Sequence, residues 1–134
     1  MTFISLLLLF SLYVTAQPTC FENKPYPAPS LSDAARQLYQ SKLAEAKTNY
    51  EKDSSHADNI IWLGRRTAYL GKYEEAIAIF SKGIQLHPAD ARFYRHRGHR
   101  YLTLRCLDKA IADFEKAATL IKGRPDEVEP DGLP

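Results

Sequence analysis

The sequence predicts an all-α fold, an α-solenoid built from antiparallel helix pairs. Three observations carry this. First, the stretch 57–88, ADNIIWLGRRTAYLGKYEEAIAIFSKGIQLHP, restarts on the same template 34 residues later. Gly64 recurs as Gly98, Ala76 as Ala110 and Phe80 as Phe114, with Leu70/Leu104, Ile77/Ile111 and Leu86/Leu120 in the same register. A fixed period with small and aromatic residues in step is the mark of stacked helical units. Second, each unit carries a small residue on both of its helices, which lets two backbones approach closely. Third, turn and stop residues fall where a helix pair needs them.

In chain order, residues 1–16 read as a secretory signal peptide. Phe3 to Val14 is almost wholly apolar and uncharged, and Val14-Thr15-Ala16 resembles a small-residue cleavage site. The alternative is an uncleaved anchor, since no Lys or Arg precedes the apolar run. That run falls short of the ~20 residues that span a bilayer, so cleavage near Ala16 and an exported chain, periplasmic or secreted, are expected. Lipid anchoring at Cys20 is disfavoured by Gln17, Pro18 and Thr19 immediately before it.

Residues 17–30 hold Pro18, Pro25, Pro27 and Pro29 and read as an extended linker. The helical domain is expected over 31–122. Ser30 or Ser32 can cap a helix running to about Lys52, with Asp33 favourable in its first turn. Ala35, Leu38, Tyr39, Leu43, Ala46 and Tyr50 share one face of it. Ala46 stands one period before Phe80, so this helix occupies the place of the second helix of an earlier, degenerate unit.

The first full unit, about 57–90, divides into helices near 57–70 and 73–86. Gly71 and Lys72 supply the turn, and Pro88 closes the second helix. Gly64 in mid-helix costs about 1 kcal/mol relative to Ala. Close approach of the partner helix is the packing reason that cost requires, with Ala76 opposite and Phe80 filling the space beside it. The second unit, about 91–122, repeats the plan with Gly98, Ala110 and Phe114. Lys122 stands where the first unit has Pro88. Residues 123–134, GRPDEVEPDGLP, form an acidic tail expected to be disordered. With no polar helix after the second unit, three expectations stand: a marginal fold, dimerisation through the last helix, or a piece of a longer array, the last slightly favoured.

These residues resemble the tetratricopeptide repeat (TPR), whose pattern is W-x2-L-G-x2-Y, then A-x3-F, then P. The first unit supplies Ile60, Leu63, Gly64, Thr67, Ala76, Phe80 and Pro88; the second supplies Tyr94, Arg97, Gly98, Tyr101, Ala110 and Phe114. Trp62 sits two residues late for the family's Trp, and Arg97 replaces the usual Leu.

The net charge of +2 and 45% hydrophobic content suit an ordinary globular chain. No phosphate loop, HExxH or GxSxG is present, and no context marks a catalytic triad. A non-enzyme without cofactor or metal is expected. His96 and His99 lie three apart on one helix, but further ligands to complete a metal site are not evident. Cys20 and Cys106 are the two thiols; export permits a disulfide between them, while free or intermolecularly paired thiols are at least as well favoured.

The distinctive feature is charge. Residues 91–106 hold Arg92, Arg95, Arg97, Arg100 and Arg105 with His96 and His99 and no acid, and Arg65 and Arg66 lie in the preceding unit. The resemblance implies that the first helix of each unit lines a concave groove that holds a partner's peptide. Carried over residue by residue, the groove takes Asp58, Ile61, Arg65 and Tyr69 from the first unit and Arg92, Arg95, His96 and His99 from the second. Guanidinium forks suit bidentate contact with carboxylates, so an acidic segment or a chain-terminal carboxylate is the expected ligand. The family's carboxylate clamp uses Lys and Asn at comparable places, so that particular ligand does not carry over. The bland alternative is a solvated charged face. Two other classes stand beside it. One is self-association through the last helix, with Ala110, Ile111, Phe114, Ala117 and Leu120 partly exposed. The other is nucleic-acid binding by the basic stripe with Phe93, Tyr94 and Tyr101, which near-neutral charge and export disfavour. The acidic residues 126–131 are a further expected occupant of the groove, in cis.

Overall fold

The computed structural model describes Cys20 and residues 26–125. The expected signal peptide and the acidic residues after Pro125 lie outside the described residues. Five helices follow one another: α1 (Asp33–Lys52), α2 (Ala57–Tyr69), α3 (Tyr73–Leu86), α4 (Ala91–Thr103) and α5 (Leu107–Ile121). Among the described residues there is no strand. The fold is an all-α stack of two helix pairs, α2/α3 and α4/α5, preceded by one helix.

Local chemistry sets the ends. Ser32 Oγ accepts from the Ala35 amide at 3.2 Å and opens α1. Beyond α1, Asp53 Oδ1 accepts from the Ser55 amide, the Ser55 hydroxyl and the His56 amide, which turns the chain into α2. The Ser55 hydrogen bonds, side chain first and then backbone, hold the Asp53 carboxyl below its usual range. The Asn59 amide donates to the Asn49 and Asp53 carbonyls and sews α1 to α2. Gly71 makes the α2–α3 turn at φ 80°, a left-handed angle that favours glycine. Its counterpart one period later is Arg105, at φ 61°. Asp90 caps α4 by accepting from the Arg92 amide.

The core sits between the helix layers. Ile60, Ile61, Ala68, Ala76, Phe80 and Phe93 form one buried cluster, and Ile77, Leu104 and Cys106 a second. The glycine notches follow the expected logic: a Cβ on Gly64 would stand 2.4 Å from the Phe80 ring, and one on Gly98 would stand 2.8 Å from Phe114. Ala76 and Ala110 are buried at 0% and 2% exposure and admit the partner helix. A third notch, absent from the sequence reading, joins the two units. Gly83 on α3 receives the Phe93 ring of α4, 2.2 Å from where a Cβ would lie.

Consecutive helices pack pairwise, and α2 also comes close to α4, whereas among the described residues α1 and α3 meet through side chains, Lys82 on Tyr50, and no close backbone approach joins α3 to α5. The first helices of the units therefore crowd together and the second helices splay. Crowding on one side curves the stack, with α2 and α4 on its inner face. The splay leaves a cavity of about 540 Å³ between α1 and α3, floored by Ile60 and Leu63 and rimmed by Lys47, Glu51, Glu75 and Lys82.

Three expectations require correction. Cys20 and Cys106 are joined in a disulfide, and no free cysteine remains. The Pro-rich stretch, expected as an extended linker, is packed against the helices over its described part. Tyr26 packs on the Ile77–Leu104–Cys106 cluster, and Ala28 and Pro29 lie against Gly71, so the segment straps the α2–α3 and α4–α5 turns. Its prolines and Tyr26 supply apolar surface that the composition argument counted only as linker. On α5, Ala110 and Ala117 are buried rather than partly exposed, whereas Phe114 and Leu120 are half-buried and Ile111 is exposed, as expected; Leu107 and Ile121 are the other exposed large apolar residues there. On α1, Leu38 is exposed, since only the later part of that helix is packed deeply, at Leu43 and Ala46.

Candidate functional site: the inner face of α2 and α4

The basic residues of α4 divide into two groups. Arg92 is held on three sides. Its guanidinium donates to Asp90 Oδ2 and to Asp58 Oδ1, each at 2.7 Å, and its Nε also contacts Asp90. Asp58 and Arg92 occupy the same position in successive units, so the pair staples the two repeats across the inner face. Burial raises the Asp90 carboxyl, but the hydrogen bonds and charge of Arg92 bring it below its usual range. Hydrogen bonding to Asp90 outweighs burial and raises the Arg92 guanidinium.

Arg97, one of the basic series at 91–106, points between the helices. Its Nε and Nη2 donate to the two carboxylate oxygens of Asp113, each at 2.8 Å, and Nη1 donates to Ser81 at 3.0 Å. Asp113 is 5% exposed. The hydrogen bond to Asp113 raises the Arg97 guanidinium further. Arg97 is thus a structural ion pair and the physical answer to its departure from the family's Leu.

Several other cations of α2 and α4 lie against aromatic rings. Arg65 donates to the Tyr69 hydroxyl at 3.2 Å and lies 4.2 Å over the Trp62 ring. Arg66 covers the same ring at 4.7 Å. Residues three and four positions after an aromatic share its helix face, so one indole gathers both guanidinium groups. Arg95 is exposed. His96 stacks on Phe80 with ring centroids 5.6 Å apart, and His99 meets Phe114 edge-on at 5.1 Å. Burial, then the neighbouring charges of Arg100, His96 and Arg95, holds the His99 imidazole below its usual range. Both histidines pack on ring faces, and among the described residues no cluster suited to a metal ion occurs.

Arg100 is the residue that sequence reasoning left out of the groove. It is half-buried between the units, 5.9 Å from the Tyr73 ring centroid. Among the described residues no carboxylate pairs with it. Burial lowers its guanidinium pKa; Tyr73 and Tyr69 oppose that shift and the charge of Arg65 adds to it. Two arginines and two tyrosines thus converge from α2, α3 and α4. The signal that could have found Arg100 is its register: it stands one period after Arg66.

No protein-family model and no curated protein sequence matches the chain. Solved structures do. The structure of MamA MSR-1 C2 shares 23% identity at a TM-score of 0.59, over 65% of this chain and 50% of that one. That of MamA AMB-1 P212121 shares 24% at 0.59, over 66% and 52%. The chain therefore spans about half the length of these neighbours. The likeness is one of fold, a TPR-like stack of helix pairs.

Proposed function

We propose that this chain is an exported, non-catalytic adaptor whose inner α2/α4 face holds an acidic, extended segment of another protein. The observation that carries the reading is Arg100, a half-buried cation without a carboxylate among the described residues. Leaving a desolvated charge uncompensated is costly, and an incoming carboxylate offsets that cost. Arg65, Tyr69, Arg95, His96 and His99 surround the approach as donors. Arg92 serves the groove indirectly, by fixing the two units against each other. The Cys20–Cys106 disulfide supports an oxidising, extracytoplasmic setting, because cytosolic thiols are kept reduced. No helix among the described residues is long and apolar enough to cross a membrane.

Trp62 is the single tryptophan and touches two groove arginines, so its fluorescence reports occupancy. Titration with a Glu-rich peptide should quench or shift it, and a Gln-rich peptide of equal length should not. Arg100→Gln, with unchanged circular dichroism, should weaken acidic-peptide binding about tenfold or more. An Arg65→Ala/Arg95→Ala double variant should weaken it further. Equal binding of both peptides, or a variant series without effect, refutes the reading. A single-stranded oligonucleotide outcompeting the peptide assigns the face to nucleic acid instead.

A further inference from the structure

α5 carries an apolar stripe along the flank of its contact with α4, with Phe114 at the edge of that contact. Leu107, Ile111 and Ile121 are 52, 55 and 53% exposed, with Phe114 half-buried and Ala118 exposed between them. Their spacing, four and three residues alternately, sets the five in one line along the helix, as at a coiled-coil seam. The repeat register identifies this line. Its counterpart on α3 is Tyr73, Ile77, Phe80, Ile84 and His87, and that stripe is covered by α4. Tyr73 meets Arg100, Ile77 packs with Leu104, Phe80 stacks on His96, Ile84 joins the Phe93 core, and His87 stacks on Phe93. The same position is 7% exposed at Ile77 and 55% exposed at Ile111. Among the described residues no helix lies over the α5 stripe.

We propose that a second copy of this chain covers it, with the two α5 helices antiparallel about a twofold axis at Phe114. The side chains select this arrangement. Antiparallel pairing centred on Phe114 sets Leu107 level with the partner's Ile121, and bulky Ile111 within one residue of the level of the partner's small Ala118, so that layers of unlike size interlock. On the flank, Asp108 near the helix start faces the partner's Lys122 just past the helix end, twice by symmetry. The two Glu115 carboxylates flank the axis and repel. The pairing extends an interface the chain already uses, helix laid on the α3-type stripe, and it is independent of the groove reading.

Sedimentation of the full oxidised chain over a concentration series tests this. A monomer–dimer equilibrium is expected. Ile111→Glu changes an exposed residue, so the fold should persist by circular dichroism while the dimer dissociation constant rises about a hundredfold or more. Asp108→Lys should weaken the dimer about tenfold, adding Lys122→Asp should restore it, and Glu115→Gln should tighten it. In mixed samples, Ile111→Cys should cross-link to Ala118→Cys in preference to itself. A chain that stays monomeric, or a dimer indifferent to Ile111→Glu, overturns the proposal. So does a stripe protected from hydrogen exchange in a monomer, which assigns it to the chain's own remaining residues.

Discussion

The two repeats trace one backbone template with different chemistry. Where the first unit places Leu63 and Ile79, the second places Arg97 and Asp113, an apolar pair of positions exchanged for a bidentate ion pair. Where the first turns on Gly71, the second turns on Arg105. Where the first has Lys72, the second has Cys106, tied to Cys20. The comparison teaches that a stacked repeat tolerates polar substitution deep in its packing when both partners change together. The second unit also carries the disulfide, a support that the first does not have.

The largest expected effect breaks the exchanged pair. Arg97→Leu alone strands the Asp113 carboxylate in a buried site and should cost about 3–5 kcal/mol in urea denaturation. Adding Asp113→Ile recreates the first unit's chemistry and should recover most of that loss. A harmless single variant would show that the ion pair carries no such role. Next, Cys20→Ser should lower stability by about 2–4 kcal/mol and leave the reduced and oxidised forms of the variant alike. Reduction of the native chain should give the same shift; indifference to reductant would detach the strap from stability. The smallest effect sharpens the turn comparison. Arg105→Gly relieves a left-handed angle at a non-glycine residue and should raise the melting midpoint by the equivalent of under about 1 kcal/mol, the gain in the turn being partly offset by glycine's greater unfolded freedom. A fall in the midpoint would show that the Arg105 side chain contributes more than its backbone costs.

The fold was legible because its constraints are local or periodic. Gly64, Ala76 and Phe80 return in register, and Gly71 and Pro88 mark the ends, so four of the helices lie within a residue or so of their expected bounds. The pairings between elements were less legible. Gly83 lies outside the family pattern, and its role depends on where Phe93 enters from the next unit. The disulfide spans 86 residues with no local signal linking its halves. The charge on α4 read as one basic run, whereas packing divides it. Arg92 is absorbed by Asp58 one period away, and Arg97 by Asp113 on the facing helix. Comparing corresponding positions, Leu63 with Arg97 and Ile79 with Asp113, offered the one clue that Arg97 turns inward. Arg100 shows the converse: nothing in a run of arginines marks which will be half-buried and without a carboxylate among the described residues.

Linear arrays of repeats come apart from their ends, each unit gripping only its neighbours, so the terminal pair is the first to fray. The Cys20–Cys106 bond alters that behaviour. It clasps residues before the first helix to the hinge of the last pair, turning an open ladder into a loop. α5 cannot peel away without tugging on the strap that crosses both turns, so unzipping should proceed as one event. The two described units are thereby coupled into one cooperative step, where longer arrays lose that character as they lengthen.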